Sequence, residues 1–275
     1  MTELRPAWSE PFADEARSTL ARVPALAGVD REWAWGGSTG AGLRVGIVDS
    51  GLERAHPALR GRVVESVAVQ FDAEGYAEVV PDESGADMFG HGTACGGIVL
   101  SLAPEVELVS VRVLGADLRG KGAAFAAGLE WLLDHDVRVA NLSLSSRSES
   151  LYAVFHELAD RAAFGGVALV CAANNVPGPS YPSLFSSVFS VAAHGEPDPW
   201  RFYYNPTPPV EWGAWGVDVP VAWKDGGSSV ATGNSFAAPH ICALAALVLA
   251  KHPTLTPFEL KAVLAAVADN PKETA

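Results

Sequence analysis

The chain has 275 residues, 49% hydrophobic and 19% charged, a balance that excludes wholesale disorder and at this length lets roughly 70–75% of the unfolded surface be buried. Acids outnumber bases by 32 to 19, a net charge of −13, which speaks against nucleic acid, whose binding needs clustered Lys and Arg, and against docking on anionic lipid. Three cysteines, Cys95, Cys171 and Cys242, leave at least one unpaired; all lie in apolar or small-residue runs and read as reduced, buried thiols of a reducing compartment.

Residues 1–22 are polar, carry Pro6 and Pro11, and read as an N-terminal arm; residues 23–275 read as a single domain. The first residues lack a basic segment followed by an apolar stretch, so no secretory signal is visible. The longest apolar run, 241–250, falls short of the ~20 residues that span a bilayer. With the thiols, this predicts a cytoplasmic protein that binds no membrane.

From Val23 onward apolar runs alternate with helical patterns. Strands are expected at 43–48, 106–114, 137–144, 166–173 and 188–193. Helices are expected at 121–134, 151–164, 235–252 and 256–268, and the segment after His91 is a small-residue helix. Residues 196–228, rich in Pro, Trp and Gly, read as loops with one or two short strands. This alternation predicts an α/β fold, a three-layer sandwich with a mostly parallel central sheet and helices on both faces. Sites in such sheets lie at the carboxyl ends of the strands.

Three segments carry groups suited to chemistry. Val48-Asp49-Ser50-Gly51 puts an acid at the end of a buried strand. His91-Gly92-Thr93-Ala94-Cys95 opens a helix with an imidazole. Gly233-Asn234-Ser235-Phe236-Ala237-Ala238-Pro239-His240 opens the most apolar helix with a hydroxyl. Each alone reads as a turn former, a capping or core histidine, and a helix N-cap. Together they supply what acyl transfer by serine requires: a nucleophile, a base to take its proton, and a carboxylate to orient that base. The order Asp…His…Ser differs from the orders of α/β-hydrolases and of chymotrypsin-like enzymes.

The three segments closely resemble the signature segments of subtilisin-like serine proteases, the subtilases. Val111-Arg-Val-Leu-Gly-Ala-Asp117, Gly128-Leu-Glu-Trp131 and Asn141-Leu-Ser-Leu144 resemble that family's middle segments, in the same order. The resemblance spans roughly 23–269. It implies Asp49 as orienting acid, His91 as general base, Ser235 as nucleophile, and an asparagine side chain as donor to the oxyanion. In Ala172-Ala173-Asn174-Asn175 the ungapped reading makes Asn175 that donor. It further implies that a peptide or protein substrate lies extended as an added β-strand between the edges Gly120-Lys121-Gly122 and Ser143-Leu144-Ser145.

The chain departs from the family pattern in several places. Ala94 stands where a second His is usual, and Asn234 where a Thr can aid the oxyanion. Ser145 and Asn174 stand where glycines usually leave the primary specificity pocket open, so a narrowed pocket and a selective peptidase are expected. Val176 offers no charge for a basic side chain. No cofactor is called for. His91 and Cys95 sit i, i+4 and with Asp49 form a poor zinc set, no His-Glu-x-x-His or Cys-x-x-Cys being present. Asp82, Glu83 and Asp87 read as a solvated acidic loop rather than a calcium site. Gly36–Gly42 lacks the Gly-Lys-Ser/Thr of a phosphate loop and reads as a plain loop. Trp212, Trp215 and Trp223 read as core or groove packing. The leading expectation is a serine endopeptidase for precursor or leader-peptide processing. Transfer of the acyl group to an amine, giving ligation or macrocyclisation, and a degenerate peptide-binding module are the competitors; the complete triad favours the first.

Overall fold

The computed structural model describes residues 6–14, 16, 27–207 and 209–271; Val23, the expected start of the domain, and residues 1–5 of the arm lie outside them. In chain order the elements are α1 (Arg31–Trp35), β1 (Arg44–Asp49), β2 (Val63–Phe71), β3 (Ala77–Pro81), α2 (His91–Leu102), β4 (Glu107–Arg112), α3 (Gly122–Leu133), β5 (Val139–Leu142), α4 (Tyr152–Phe164), β6 (Ala168–Ala172), β7 (Phe189–His194), β8 (Phe202–Tyr204), β9 (Trp212–Trp215), β10 (Val219–Trp223), β11 (Gly227–Ala231), α5 (Asn234–Lys251) and α6 (Pro257–Val267).

Nine strands form one sheet in the order β3-β2-β4-β1-β5-β6-β7-β9-β8. Neighbours from β2 to β9 are parallel, and only the outer strands β3 and β8 run antiparallel. Because successive side chains of a strand face opposite ways, Val45 and Ile47 of β1 join one core with α1, α2, α5 and α6. Val48 faces the other core, which holds α3 and α4. The result is the expected three-layer α/β sandwich.

β1, at the heart of the sheet between β4 and β5, is buried along nearly its whole length. Asp49 at its carboxyl end therefore emerges deep in the protein. α5 is apolar all round because it is enclosed all round. Among the described residues it is the one helix long and apolar enough to cross a bilayer, and 83% of it is buried inside the protein. Core packing thus accounts for its composition. α6 begins at a capping box in which Thr256 and Glu259 satisfy each other's backbone N–H groups.

Elsewhere the structure differs from the sequence expectation. β2 and β3 lie in a stretch for which no strand was expected; β2 is an inner strand, and β3 is an edge strand with no buried residue. Residues 196–228 hold three strands and the start of a fourth rather than one or two; the last two form the β10–β11 hairpin, whose second strand is mostly exposed. α1, five residues long, is too short for a periodic pattern. β5 ends at Leu142, so residues 143–145 follow the strand rather than belong to it.

His240 of α5 is 2% exposed, and its Nδ1 lies 3.0 Å from the Phe236 carbonyl oxygen. Burial pushes its pKa down to about 4, with the Phe236 bond opposing and His194 assisting. Between the unfolded value near 6.5 and that figure, the unfolded chain binds the extra proton, so stability falls as pH falls through this window. We expect this one group to cost on the order of 3 kcal/mol by the bottom of the window. Urea unfolding of the protein and of His240→Asn, compared at pH about 7 and about 4.5, reads it as a smaller pH-dependence in the variant.

Candidate active site

The acid, the imidazole and the hydroxyl meet at the carboxyl end of the sheet. Asp49 is fully buried, and both its carboxylate oxygens lie 2.9 Å from His91 Nδ1. Oδ1 also accepts the Ser50 backbone N–H at 2.7 Å. His91 is the first residue of α2, and the helix has to pass against the end of β1 to bring the ring to the carboxylate. Gly92 permits this, since a Cβ there would lie 2.1 Å from the Gly51 carbonyl oxygen and 3.2 Å from Asp49 Cβ.

Burial disfavours the charged His91 ring. The charge of Asp49, the hydrogen bond to it and the charge of Asp87 outweigh that and raise its pKa above the ordinary 6.5. Asp87 is the residue whose importance the sequence reading missed. It is no member of a solvated acidic loop: it is 7% exposed, and its oxygens accept from Ser50 Oγ, Phe89 N, Gly90 N, Thr93 N and Thr93 Oγ1 at 2.7–3.0 Å. It thereby ties the end of β1 to the turn that launches α2. Asp82 is likewise buried, receiving Arg112 Nε at 2.8 Å and the Ser84 N–H and hydroxyl. Only Glu83 of the three acids is exposed. The expectation of a solvated loop fails because neighbouring donors meet both buried charges.

Ser235 is the second residue of α5 and is half-buried. Its Oγ donates to the Ser143 carbonyl oxygen at 3.2 Å, and among the described residues no hydrogen bond joins it to His91. Its own carbonyl is held in return. Pro239, four residues on, has no N–H to give to the Ser235 carbonyl, and Ser143 Oγ donates to that oxygen at 2.8 Å, with Cys95 Sγ 3.6 Å away. Asn141 Nδ2 orients the Ser143 hydroxyl at 2.8 Å. Ser143, expected only as a groove edge, thus locks the first turn of α5 to the end of β5. The proline four residues after the serine was the available signal for an orphaned carbonyl.

Asn175 is exposed at the cleft, and its Oδ1 accepts the Asn234 backbone N–H at 2.9 Å. That bond fixes the amide plane and leaves Nδ2 as the free donor end. Asn234 itself is fully buried and turned away from the cleft. Its Oδ1 accepts Ala193 N–H at 2.9 Å, and its Nδ2 donates to the carbonyls of Ala7 and Ala173 at 2.9 and 3.1 Å. Asn234 is therefore placed to support the backbone and not to touch an oxyanion.

A cleft of about 450 Å³ is lined by His91, Ser235 and Asn175. Gly120, Lys121 and Gly122, the last already the first residue of α3, line it from the segment after β4. Ser143, Leu144 and Ser145 line it from the segment after β5, and Asn174 from the end of β6. Val113, Leu114, Leu118 and Phe125 add an apolar lining that the sequence reading did not single out. The Asn174 carboxamide folds back to accept the Val176 N–H at 3.1 Å. Of the tryptophans, Trp212 is fully buried and Trp223 stacks edge-on against Phe89.

Asp49, His91 and Cys95 bring three ligand atoms within 4.8 Å of one another. Burial, and then the charge of Asp49, push the Cys95 thiol far above its ordinary pKa. The thiol donates to Ser143 Oγ at 3.3 Å. The Asp49 carboxylate is committed to the His91 imidazole.

A model described as the Subtilase family matches residues 40–275. The chain is similar to Subtilisin BL of Lederbergia lenta, 33% identical over an alignment of 254 positions that covers 88% of this chain and 87% of that one. It is similar to the Thermostable alkaline protease of Halalkalibacterium halodurans, 31% identical over 82% of this chain and 62% of that one. In fold it is similar to the crystal structure of a cold-adapted subtilisin-like serine proteinase, with a TM-score of 0.67 and 24% identity, covering 92% of this chain and 97% of the other.

Two outcomes follow from the geometry. Titrated by proton NMR, the His91 ring is expected to lose its proton above pH 6.5 in the parent. In Asp49→Asn its pKa is expected to drop below 6.5, because burial, the largest influence, is then opposed only by the smaller effect of the Asp87 charge. Gly92→Ala is expected to push α2 off β1, lowering stability by about 1–3 kcal/mol and lengthening the Asp49–His91 bonds, as read by thermal melts and by the same titration.

Proposed function

Since the chain belongs to the subtilase family of serine proteases, we propose that Ser235, His91 and Asp49 carry out its peptide hydrolysis, with Asn175 as donor to the oxyanion. The observation that supports this most directly is the buried Asp49–His91 pair opening onto the same cleft as Ser235. An extended substrate pairs its backbone with the segments 120–122 and 143–145. A substrate N–H that takes the Ser143 carbonyl displaces the Ser235 hydroxyl from it, freeing the hydroxyl to turn to His91. Ser235 Oγ then bonds to the peptide carbonyl carbon, its proton passes to His91, and the carbonyl electron pair moves onto oxygen. Asp49 holds the Nδ1–H and stabilises the imidazolium. The oxyanion is met by Asn175 Nδ2 and by the Ser235 N–H, which in the first turn of α5 has no acceptor within the helix. Collapse expels the amine with the proton from His91, and water repeats the sequence on the acyl-enzyme.

Ser145 and Asn174 line the cleft where the family pattern has glycines, which supports a narrower pocket and a selective enzyme that processes a peptide precursor or removes a leader peptide. Three buried, unpaired thiols support work in a reducing, cytoplasmic compartment.

Intact mass after fluorophosphonate treatment tests the chemistry: one adduct is expected on the parent and none on Ser235→Ala. An adduct on Ser235→Ala, or unchanged peptide cleavage by it, sinks the reading. In the pH profile of kcat/KM the acid limb is expected above pH 6.5, because the base must be neutral and its proton is held by Asp49. Selectivity is read with a peptide library. The double variant Ser145→Gly/Asn174→Gly is expected to raise kcat/KM for large aromatic side chains about tenfold, the scale of one pocket contact of 1–3 kcal/mol.

A further inference from the structure

Residues 6–13 are bound to the back of the cleft. The Ala7 N–H donates to the Asn175 carbonyl oxygen at 3.1 Å, and the Ala7 carbonyl accepts Asn234 Nδ2 at 2.9 Å. Asn234 in turn gives its backbone N–H to Asn175 Oδ1. The three residues thus form a closed circuit that runs from the arm to the Asn175 backbone, through the Asn175 carboxamide to the Asn234 backbone, and through the Asn234 side chain back to the arm. Ser9 Oγ closes the preceding turn on the Pro6 carbonyl at 2.6 Å, and Trp8 takes a left-handed conformation, φ 72°, uncommon for a residue with a side chain. Tertiary contacts must hold that shape, and Phe12 supplies them. It is fully buried against Ala173, Ala192, Tyr203 and Val210, over Gly213, where a Cβ would lie 2.4 Å from its ring.

We propose that residues 6–12 are a positioning strap for the oxyanion donor, with Phe12 as its anchor and Ala7 as the link that holds Asn175 and Asn234 in register. This rests on the reading of Asn175 as donor. An exposed carboxamide at a strand end has two rotatable bonds, and a donor stabilises a transition state only while it points at the oxyanion. The strap fixes the Asn175 backbone, and Asn234 fixes its side-chain oxygen. It also gives Asn234 a purpose: an amide brings two N–H groups, enough to bind the sheet and the arm together, whereas a hydroxyl brings one. The strap is bonded to Asn175 and Asn234 and has no hydrogen bond to Asp49 or His91 among the described residues.

The test uses the full chain with Phe12→Ala, which loosens the anchor, and independently Ala7→Pro, which removes the N–H given to Asn175. Each is made alone and combined with Asn175→Ala. Exhaustive fluorophosphonate labelling counts competent sites, and melts set an assay temperature at which every variant is folded. Each strap variant is expected to lower kcat about tenfold, short of the 10²–10³ for a donor removed outright. KM is expected to stay within about twofold and the acid limb of the pH profile to stay in place. In the Asn175→Ala background the strap substitutions are expected to cost nothing more, since they act through that side chain. Unchanged kcat in folded strap variants, or losses that multiply with that of Asn175→Ala, overturns the strap. If Phe12→Ala does not fold, Ala7→Pro decides. If Asn175→Ala itself leaves kcat unchanged, the reading of the donor fails first, an outcome distinct from failure of the strap alone.

Discussion

A carboxylate at zero exposure, at the end of the strand that lies between β4 and β5, has to be compensated inside the protein, and much of the geometry around the site serves that end. Asp49 takes the His91 ring N–H and the Ser50 backbone N–H. To deliver the ring, α2 must start where β1 stops, which places Gly92 against Gly51 and requires a tight turn before the helix. Asp87 holds that turn with five hydrogen bonds from Ser50, Phe89, Gly90 and Thr93, and its charge reaches His91 as well. Two buried acids thus oppose the cost of burying one imidazole, and the balance leaves a base that is easier to protonate than histidine in water.

The second half of the site depends on a helix that begins with a broken ladder. Pro239 deprives the Ser235 carbonyl of its helical donor, and Ser143 Oγ replaces it. An unpaired buried carbonyl would cost about 1–3 kcal/mol, so the replacement also pins α5 to the end of β5. The same Ser143 offers its carbonyl to the Ser235 hydroxyl. The resting hydroxyl therefore occupies an acceptor that the proposed substrate strand would use, which links filling of the groove to release of the nucleophile.

Both halves sit on one end of a sheet whose parallel order brings the segments after β4, β1, β5 and β6 out at the same edge, with the end of β1 between those of β4 and β5. The cleft is the gap between these segments. It is lined by the segment after β5 on one side and by Leu114, Leu118 and Phe125 on another, with Ser145 and Asn174 also in its lining.

Asp49, His91, Ser235 and Asn175 were legible in the linear sequence, because each stands in a short motif whose local geometry, a strand end or a helix start, follows from its neighbours. The α/β alternation and the buried thiols were legible for the same local reason. β3 and the β10–β11 hairpin were not, since exposed and edge strands lack the apolar pattern that marks a buried one; β2, an inner strand that buries Val63, Val67 and Ala68, was not expected either. Nor were the bonds that join residues far apart: Asp87 to the end of β1, Ser143 to the orphaned carbonyl of Ser235, and Ala7 to Asn175 and Asn234. The sequence by itself determined which groups exist and which local element carries each. Only the tertiary structure decided which buried charge meets which donor, because a hydrogen bond between residues 168 or 227 positions apart leaves no periodic trace in the chain.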